Sequence, residues 1–561
     1  MHPLLAGLKK SIADGLVSQS LTSCYRWATK RRVIPDKVTN LPRAYSAHKY
    51  PWVIELHDTQ APFNYAMKGA QLGVTEVAIN RAFYLIDQMK RDVLYVLPTS
   101  LIASDFSKTR FSVALRYSPY LASIFTDTNT VNLKQAGTNN LYIRGSRGES
   151  NLVSIPVSEL ILDEVDRMDE KQVELALERL SGQIKKCVWG ISTPTIPNHG
   201  IHKLFNMGTQ EHFVFQCPRC SKHTQLVWPD CIEIIGESIH DVRVNESYLK
   251  CRECKGRLDH QSKPDWLGTG KWEVSAHNAN PDFRSFAINQ LYSFTVSPGE
   301  IVVAHFKGLG SEAANKEFHN SKLGLPFVGE GAQILDEHLD KAVERGGHTN
   351  QTPGLRPKFA GQRLITLGVD QGKWSYWVAC EWFADRMSSD LNVAARCKIL
   401  AVGKFHEDEW HRLDELMAEW QVNACVMDAD PQINEARRFA KKYEGYVWLC
   451  RYRRGKVGKE ISISEEDTGA PLATVDRTNW LSASLGRFLT NRVDLPADVP
   501  LEFREHVKSL VRTYERDDMG NPVAVYVNTG PDHFAHAFNY GEIALPLAAS
   551  LSTGENVEKF L

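Results

Sequence analysis

Hydrophobic positions in this chain gather into short runs separated by stretches of helical length. Between about residues 50 and 200, β-rich runs at 92–98 (DVLYVLP), 141–144, 159–163 and 187–192 alternate with segments of helical spacing. Strands interrupted by helix-length segments predict a largely parallel sheet with helices on both faces. β-rich runs return at 363–369, 374–382, 424–427 and 446–449, so a second α/β domain is expected over roughly 360–545. Between these regions, residues 211–275 hold paired cysteines and strand-like pieces, and residues 280–345 read as mostly helical. Residues 349–358 (TNQTPGLRPK) are polar and rich in Pro and Gly, which marks a linker. The tail from Pro546 onward reads as short and weakly ordered.

Composition narrows the class. A chain of 561 residues is longer than one core can fill, and two to four domains are expected. Its 43% hydrophobic and 24% charged residues exclude a disordered, collagen-like or fibrous protein. No apolar run reaches the roughly 18 residues of a spanning helix. The first residues, MHPLLAGLKKSIADGL, turn to charge too early for a secretory segment, so an intracellular protein without a membrane partner is expected. Eleven cysteines, seven of them scattered singly, fit reduced thiols better than a disulfide framework.

Charge is balanced overall, 66 basic against 67 acidic residues, and uneven locally. Residues 1–49 carry nine Lys or Arg against Asp14 and Asp36. A second basic run comprises Arg451, Arg453, Arg454, Lys456 and Lys459, with Tyr452 interleaved. Either run would suit phosphates or be a solvated surface.

Three motifs in order carry the first chemistry. Residues 68–76 (KGAQLGVTE) follow the phosphate-loop pattern at Gly73 and Thr75, but Val74 stands where the lysine belongs and Lys68 occupies the first position. Backbone N–H groups around Gly69 and Gly73 would cradle phosphates, and Lys68 would neutralise them. About 90 residues on, an apolar run ends in Asp163 and Glu164. Asp163 suits Mg²⁺ held beside Thr75, and Glu164 suits polarising an attacking water. Ser192 and Thr193 follow a third β run, at the place of a γ-phosphate sensor that couples hydrolysis to movement. Glu76 completes the loop motif, and Gln60 is a candidate reader of adenine. Arg144 and Arg147 are candidates for the arginine that stabilises the transferring phosphate.

Cys217, Cys220, Cys251 and Cys254 form two CxxC knuckles with 30 residues between them, a four-sulfur set suited to structural Zn²⁺. Such a zinc ribbon would contact DNA through Arg219, Lys222, Lys250 or Arg252, or only staple an insertion. In the second α/β region, Asp370 and Asp428 end β runs and Asp532 opens a helical stretch. Acids in this layout can converge on Mg²⁺ or Mn²⁺ and align water for attack on a phosphodiester, as in ribonuclease H-like nucleases. His533 and His536 would bind metal, position substrate or simply be solvated.

Taken together the motifs resemble those of tailed-bacteriophage terminase large subunits, the DNA-packaging motors, of the lambda-type group. The matching residues are 68–76, 94–99 (LYVLPT), 160–167 (LILDEVDR), 192–194, the four cysteines, 270–272, 291–293, 318–324 (FHNSKLG), Asp370, Asp428 and the region of Asp532, so that the resemblance covers roughly 45–545. It implies a P-loop ATPase core over 50–210, a zinc-ribbon insertion over 211–275, a helical segment completing the ATPase region over 276–348, and a linker over 349–359. A ribonuclease H-like nuclease domain over 360–545 and a tail over 546–561 would complete the chain that begins with the basic segment 1–49. The implied activity is ATP-driven translocation of double-stranded DNA into a procapsid, with endonucleolytic cutting of concatemeric DNA. The implied partners are the small terminase subunit at the basic amino terminus and the portal protein at the tail, with a ring oligomer docked on the portal in the host bacterial cytoplasm and absent from the mature virion. Val74, and His536 where relatives often carry another Asp, depart from the pattern. A helicase-like translocase that does not cut, and a zinc-ribbon recombination or transposition nuclease, are the alternatives.

Overall fold

The computed structural model describes residues 22–36, 41–148, 152, 155–349, 363–384, 395–453, 460–465, 469–516, 522–554 and 556–560. The chain divides into two compact units, Met1–Phe327 and Val328–Leu561. The expected linker lies outside the described residues from 350 onward, as do residues 454–459 of the second basic run.

The first unit is built on seven parallel strands. In chain order these are β1 (Phe63–Lys68), β2 (Val93–Leu97), β3 (Asn139–Gly145), β4 (Glu159–Asp163), β5 (Cys187–Ser192), β6 (Glu211–Gln216) and β7 (Phe283–Ile288). Their order across the sheet is β6–β7–β1–β5–β4–β2–β3, with short antiparallel strands at both edges. β2, β4 and β5 are buried along their whole length, as continuous apolar runs covered on both faces require. Three helices of this unit are α1 (Cys24–Arg31), which packs on α2, α2 (Val74–Asp87) and α3 (Gly200–Met207).

The structure refines three readings. The stretch read as mostly helical is helical over most of its length and also holds the strand β7. This strand spans six residues, too few to display a period, and is fixed by its neighbours, Phe283 stacking on Phe63 with ring centres 4.4 Å apart. The region read as an insertion begins inside the main sheet, because β6 pairs with β7 and with residues 271–273. In the described part of the basic segment, Arg26, Lys30, Arg43 and Lys49 are exposed, while one face of α1 and Arg32 are buried in the unit. Trp27 on α1 donates its indole N–H to Asp87 at 2.7 Å, and Arg32 is buried against Glu76 and Asn80.

The second unit holds a sheet of β8 (Leu364–Asp370), β9 (Trp374–Ala384), β10 (Ala395–His406), β11 (Ala424–Asp428), β12 (Val447–Tyr452) and β13 (Pro471–Val475), extended by two short edge strands. The order β13–β12–β11–β8–β9–β10, antiparallel through β8–β9–β10 and parallel from β8 to β13, is the ribonuclease H-like arrangement expected. Two helices pack on it, α4 (Arg477–Leu489) and α5 (His533–Thr553). α5 corrects the expectation of a loose tail, for it runs straight through Pro546. Proline removes one bond, to the Glu542 carbonyl. Every residue from Phe534 to Ala549 is buried, and that packing holds the helix across the gap.

α5 reaches β8 without intervening side chains. Thr366 donates its hydroxyl to the Gly541 carbonyl at 2.8 Å, and a Cβ on Gly368 would lie 1.9 Å from the Ala537 oxygen. Gly368→Ala is therefore expected to cost at least about 3 kcal/mol by forcing backbone apart. Gly486→Ala, within α4 and facing open space, is expected to be neutral or to stabilise by about 1 kcal/mol. Thermal and denaturant unfolding of the two variants beside the wild type checks both.

Candidate functional site

The phosphate-type loop connects β1 to α2. Lys68 is buried at the strand's end, Gln71 and Gly73 take positive φ angles of 58° and 81°, and α2 starts at Val74. The loop's outward-facing carbonyls are already used. Gln290 donates to the Ala70 oxygen at 2.8 Å and Trp52 to the Leu72 oxygen at 2.9 Å. Gly69 and Ala70 donate their N–H groups to Ile288 and Ser321. Among the described residues, the N–H groups of residues 71–75 have no protein acceptor, so the loop presents donors and few acceptors. That polarity suits an anion at a helix amino terminus.

Facing the loop are the ends of β4 and β5. Asp163 is 2% exposed. One of its oxygens accepts the Tyr95 hydroxyl at 2.6 Å and the other, Oδ1, has no partner. Burial, reinforced by the neighbouring Glu164 charge, pushes its pKa up to about 6, while the charges of Lys68 and Arg110 pull the other way. An unpartnered buried carboxylate oxygen near a lysine and a donor-rich loop fits Mg²⁺ carrying a phosphate. Glu164 adopts a left-handed conformation, φ 65°, which turns the chain sharply at the strand's end. Ser192 is buried and accepts the Asp166 N–H at 3.3 Å, so the expected sensor segment touches the turn that carries Glu164. Thr193, next in line, is half-buried.

Other expected residues are placed differently. The Glu76 carboxylate is held by Arg32 at 2.7 Å and Arg110 at 2.6 Å, so it is an anchor for arginines and not a phosphate ligand. Gln60 is exposed and donates to the Asp58 carbonyl. Arg144 is tied to the Asn132 carbonyl at 2.6 Å, and Arg147 is exposed at the following turn. Arg110 was not legible in the sequence. It lies in a helical stretch after β2, and its charge reaches Asp163; only its pairing with Glu76, thirty-four positions earlier, marks it.

The four knuckle cysteines are brought together, their sulfurs all within 4.8 Å of one another. Cys217 and Cys254 stand 4.0 Å apart, close to the ~3.8 Å edge of a tetrahedron with Zn–S bonds of about 2.3 Å. The N–H groups of Arg219 and Glu253 donate to the Cys217 and Cys251 sulfurs, as two tight turns around an ion require. Lys250 and Arg252 pair with Glu233 and Asp230, which leaves less basic charge on this face than the sequence offers.

In the second unit Asp370 and Asp428 end the neighbouring parallel strands β8 and β11. Burial and the Asp370 charge push Asp428 up to about 6, against a hydrogen bond from the Asp430 N–H. Two repelling carboxylates at adjoining strand ends fit a divalent cation. Asp532, at the start of α5, differs. Burial pushes it up, but the hydrogen bond and charge of His536, with the charge of Arg477, outweigh this and hold it below the usual carboxylate range. His533 sits 2.8 Å from Asp370, stacks on Tyr376 at 4.7 Å and is raised chiefly by the hydrogen bond to that acid. His536 contacts the Tyr452 hydroxyl at 3.0 Å. Among the described residues only the cysteines form a tight ligand set of three or more, so the three acids do not close into one cluster.

The Asp163 environment has a measurable cost. Its folded pKa exceeds the ordinary 3.8, so the folded protein is penalised above about pH 6, and the penalty fades as pH falls toward 4. Asp163→Asn keeps the shape and the Tyr95 bond. It is expected to stabilise the nucleotide-free protein at pH 8 by on the order of 2 kcal/mol, and by progressively less down to pH 5. Denaturant unfolding at the two pH values measures this.

Residues 40–272 match the family model for the phage terminase large subunit gpA, ATPase domain, and residues 283–469 match that for the terminase large subunit gpA, endonuclease domain. The second match begins at β7, so its first stretch packs in the first unit. No curated protein sequence matches the chain. Among solved structures the chain is similar to the HK97 bacteriophage large terminase, at 10% identity over 94% of this chain and 99% of that one, with a TM-score of 0.48. It is also similar to the ATPase domain of the Thermus phage P74-26 large terminase, at 14% identity over 51% of this chain and 94% of that one, TM-score 0.31. The large terminase nuclease of thermophilic phage G20c aligns at 14% identity over 33% of this chain and 84% of that one, TM-score 0.20. The family models, successive domains of one protein, decide the matter: this chain belongs to the gpA family of phage terminase large subunits, with an ATPase domain followed by an endonuclease domain.

Proposed function

We propose that this chain drives double-stranded viral DNA into a procapsid by ATP hydrolysis and cuts concatemeric DNA to begin and end packaging. The observation that supports this reading best is the presence, in one chain, of two separate strand-end carboxylate sites, Asp163 facing a donor-rich loop and Asp370 with Asp428 in another unit. A helicase-like translocase has no use for the second site. A recombination nuclease has no use for the first.

In the ATPase unit, Lys68, Gly73 and Thr75 bind the phosphates through the ammonium, the N–H groups of residues 71–75 and the hydroxyl, while Gly69, whose N–H is taken by the Ile288 carbonyl, serves by its lack of a side chain where the loop packs on Ser321. Asp163 and Thr75 would hold Mg²⁺, which supplies charge neutralisation for the transferring phosphoryl group. Glu164 orients and polarises the attacking water. Ser192 and Thr193 respond to the γ-phosphate. Glu76 acts indirectly by holding Arg110, and Arg110 supplies the positive charge expected of Arg144 or Arg147. Gln60, exposed ahead of the amino end of β1, remains a candidate contact for the base on the resemblance alone.

In the nuclease unit, Asp370 and Asp428, with Asp532, would hold Mg²⁺ or Mn²⁺, which supplies Lewis acidity for in-line attack on a phosphodiester. His536, with Arg477 behind it, keeps Asp532 ionised. Cys217, Cys220, Cys251 and Cys254 would hold a structural Zn²⁺. Assembly as a ring on the portal protein, with the small terminase subunit as partner, in the host bacterial cytoplasm, belongs to this reading. No described helix is long and apolar enough to cross a membrane.

Plasmid cleavage in Mg²⁺ or Mn²⁺, with ATP turnover recorded on the same samples, tests the two-site reading. Asp370→Ala is expected to lower cleavage at least about 100-fold and to leave ATP hydrolysis within about twofold. Parallel loss of both activities would refute separate sites, and a wild type that does not cut would favour the helicase-like translocase. Cys217→Ser is expected to abolish zinc in metal analysis and to speed proteolysis around residues 217–258, with ATP binding retained.

A further inference from the structure

The run at 318–324 stands out in the sequence, yet neither proposed chemistry uses it. In the structure Phe318–Leu323 forms a wide helical turn that ends at Gly324, φ +63°. On one side it abuts the phosphate loop. The Ser321 carbonyl accepts the Ala70 N–H at 2.7 Å, and a Cβ on Gly324 would lie 2.7 Å from the Gly69 nitrogen. A Cβ on Gly69 would in turn meet the Ser321 oxygen at 2.9 Å. The contact is backbone against backbone, so neither side can shift without the other.

On its other side the same turn holds the chain that follows β5. Asn320 is buried and donates its amide to the Thr195 carbonyl at 3.0 Å and to the Leu325 carbonyl at 2.9 Å. The Phe327 N–H also donates to Thr195, and the Phe327 ring stacks on His319 at 4.8 Å. Thr195 is tied onward: its N–H and hydroxyl donate to one Asp166 oxygen at 2.7 and 2.8 Å. The other Asp166 oxygen accepts the Ile201 N–H at the start of α3. Asp166 lies two residues past Glu164, and its own N–H donates to Ser192.

We propose that residues 318–327 are a strut that fixes the phosphate loop relative to the turn carrying Glu164, and that Asn320 is its positioning residue. Asn320 touches no reacting group. It acts through the Thr195 backbone and Asp166 on the placement of Glu164, and so sets how far a movement of the loop reaches the hydrolytic side of the site. The inference rests on ATP binding at residues 68–76.

Hydrogen–deuterium exchange of the full chain, with and without Mg²⁺ and the slowly hydrolysed ATP-γ-S, tests it. In the wild type, nucleotide is expected to slow exchange about threefold or more at 69–75, at 318–327 and at 192–201. Asn320→Asp is isosteric but cannot donate to the two carbonyls. It is expected to keep the response at 69–75, to lose it at 192–201, and to lower ATP turnover about tenfold with KM within about twofold. A wild-type response at 69–75 without one at 318–327 overturns the strut, and this arm decides even if the variant fails to fold. A variant that responds and turns over like the wild type overturns the role of Asn320. No response at 69–75 in the wild type would instead overturn the phosphate-loop reading itself.

Discussion

Lys68, Asp163, Ser192, Asp370 and Asp428 all stand at the carboxyl end of a strand with a parallel neighbour. Parallel strands must be joined by crossovers, which bring every carboxyl end to the same edge and leave the loops there free to vary. The geometry of both sites follows from that rule. In the first unit the neighbours β1, β5 and β4 deliver an ammonium, a hydroxyl and a carboxylate along one edge. In the second, β8 and β11 deliver two acids side by side. Helices contribute what strand ends cannot, the loop donors before α2 and the His533–His536 turn of α5.

Strand ends are also where charge is hardest to bury, and the two units handle it differently. Asp163 and Asp428 are left short of compensation, each pushed up to about 6 chiefly by burial. Asp532 is compensated within the protein by His536 and Arg477. An acid already neutralised by its own fold has less to gain from a cation than one that is not. The carboxylates of the nuclease unit are therefore unequal: Asp370 has His533 beside it, Asp532 has His536 and Arg477, and Asp428 is the one that most needs an external charge. Away from the sites, Arg487 and Glu542 form a buried pair between α4 and α5 at 2.5 Å, whereas the buried Lys263 rests on the Ser293 carbonyl and its pKa is pushed down to about 7 by burial.

Much of this was legible because strand runs, glycine loops and cysteine pairs are local signals. The run ending in Asp163 matches β4 residue for residue, and the cysteine spacing foretold a closed sulfur set. What escaped was set by contacts between distant residues. Glu76 read as a phosphate-loop residue because nothing nearby shows that Arg32 and Arg110 would claim it. β7 is too short to reveal its period, and its place between β6 and β1 exists only once the sheet is assembled. Pro546 read as a terminus because proline usually ends a helix, whereas here burial on every side overrides the missing bond. The unequal surroundings of Asp370, Asp428 and Asp532 were not legible, since Arg477 lies 55 positions before Asp532.

The bare contact of α5 on β8 has a consequence for how this enzyme can change. Gly368 and Gly541 place main chain on main chain, two residues before Asp370 and two helical turns after His533. Elsewhere in a core, a substitution alters the spacing between layers and its neighbours adapt. Here the layer spacing is a property of peptide dimensions alone. The spacing is thus insulated from drift in the surrounding apolar residues: they are free to diversify, and the gap between the strand's acid and the helix's histidine stays the same.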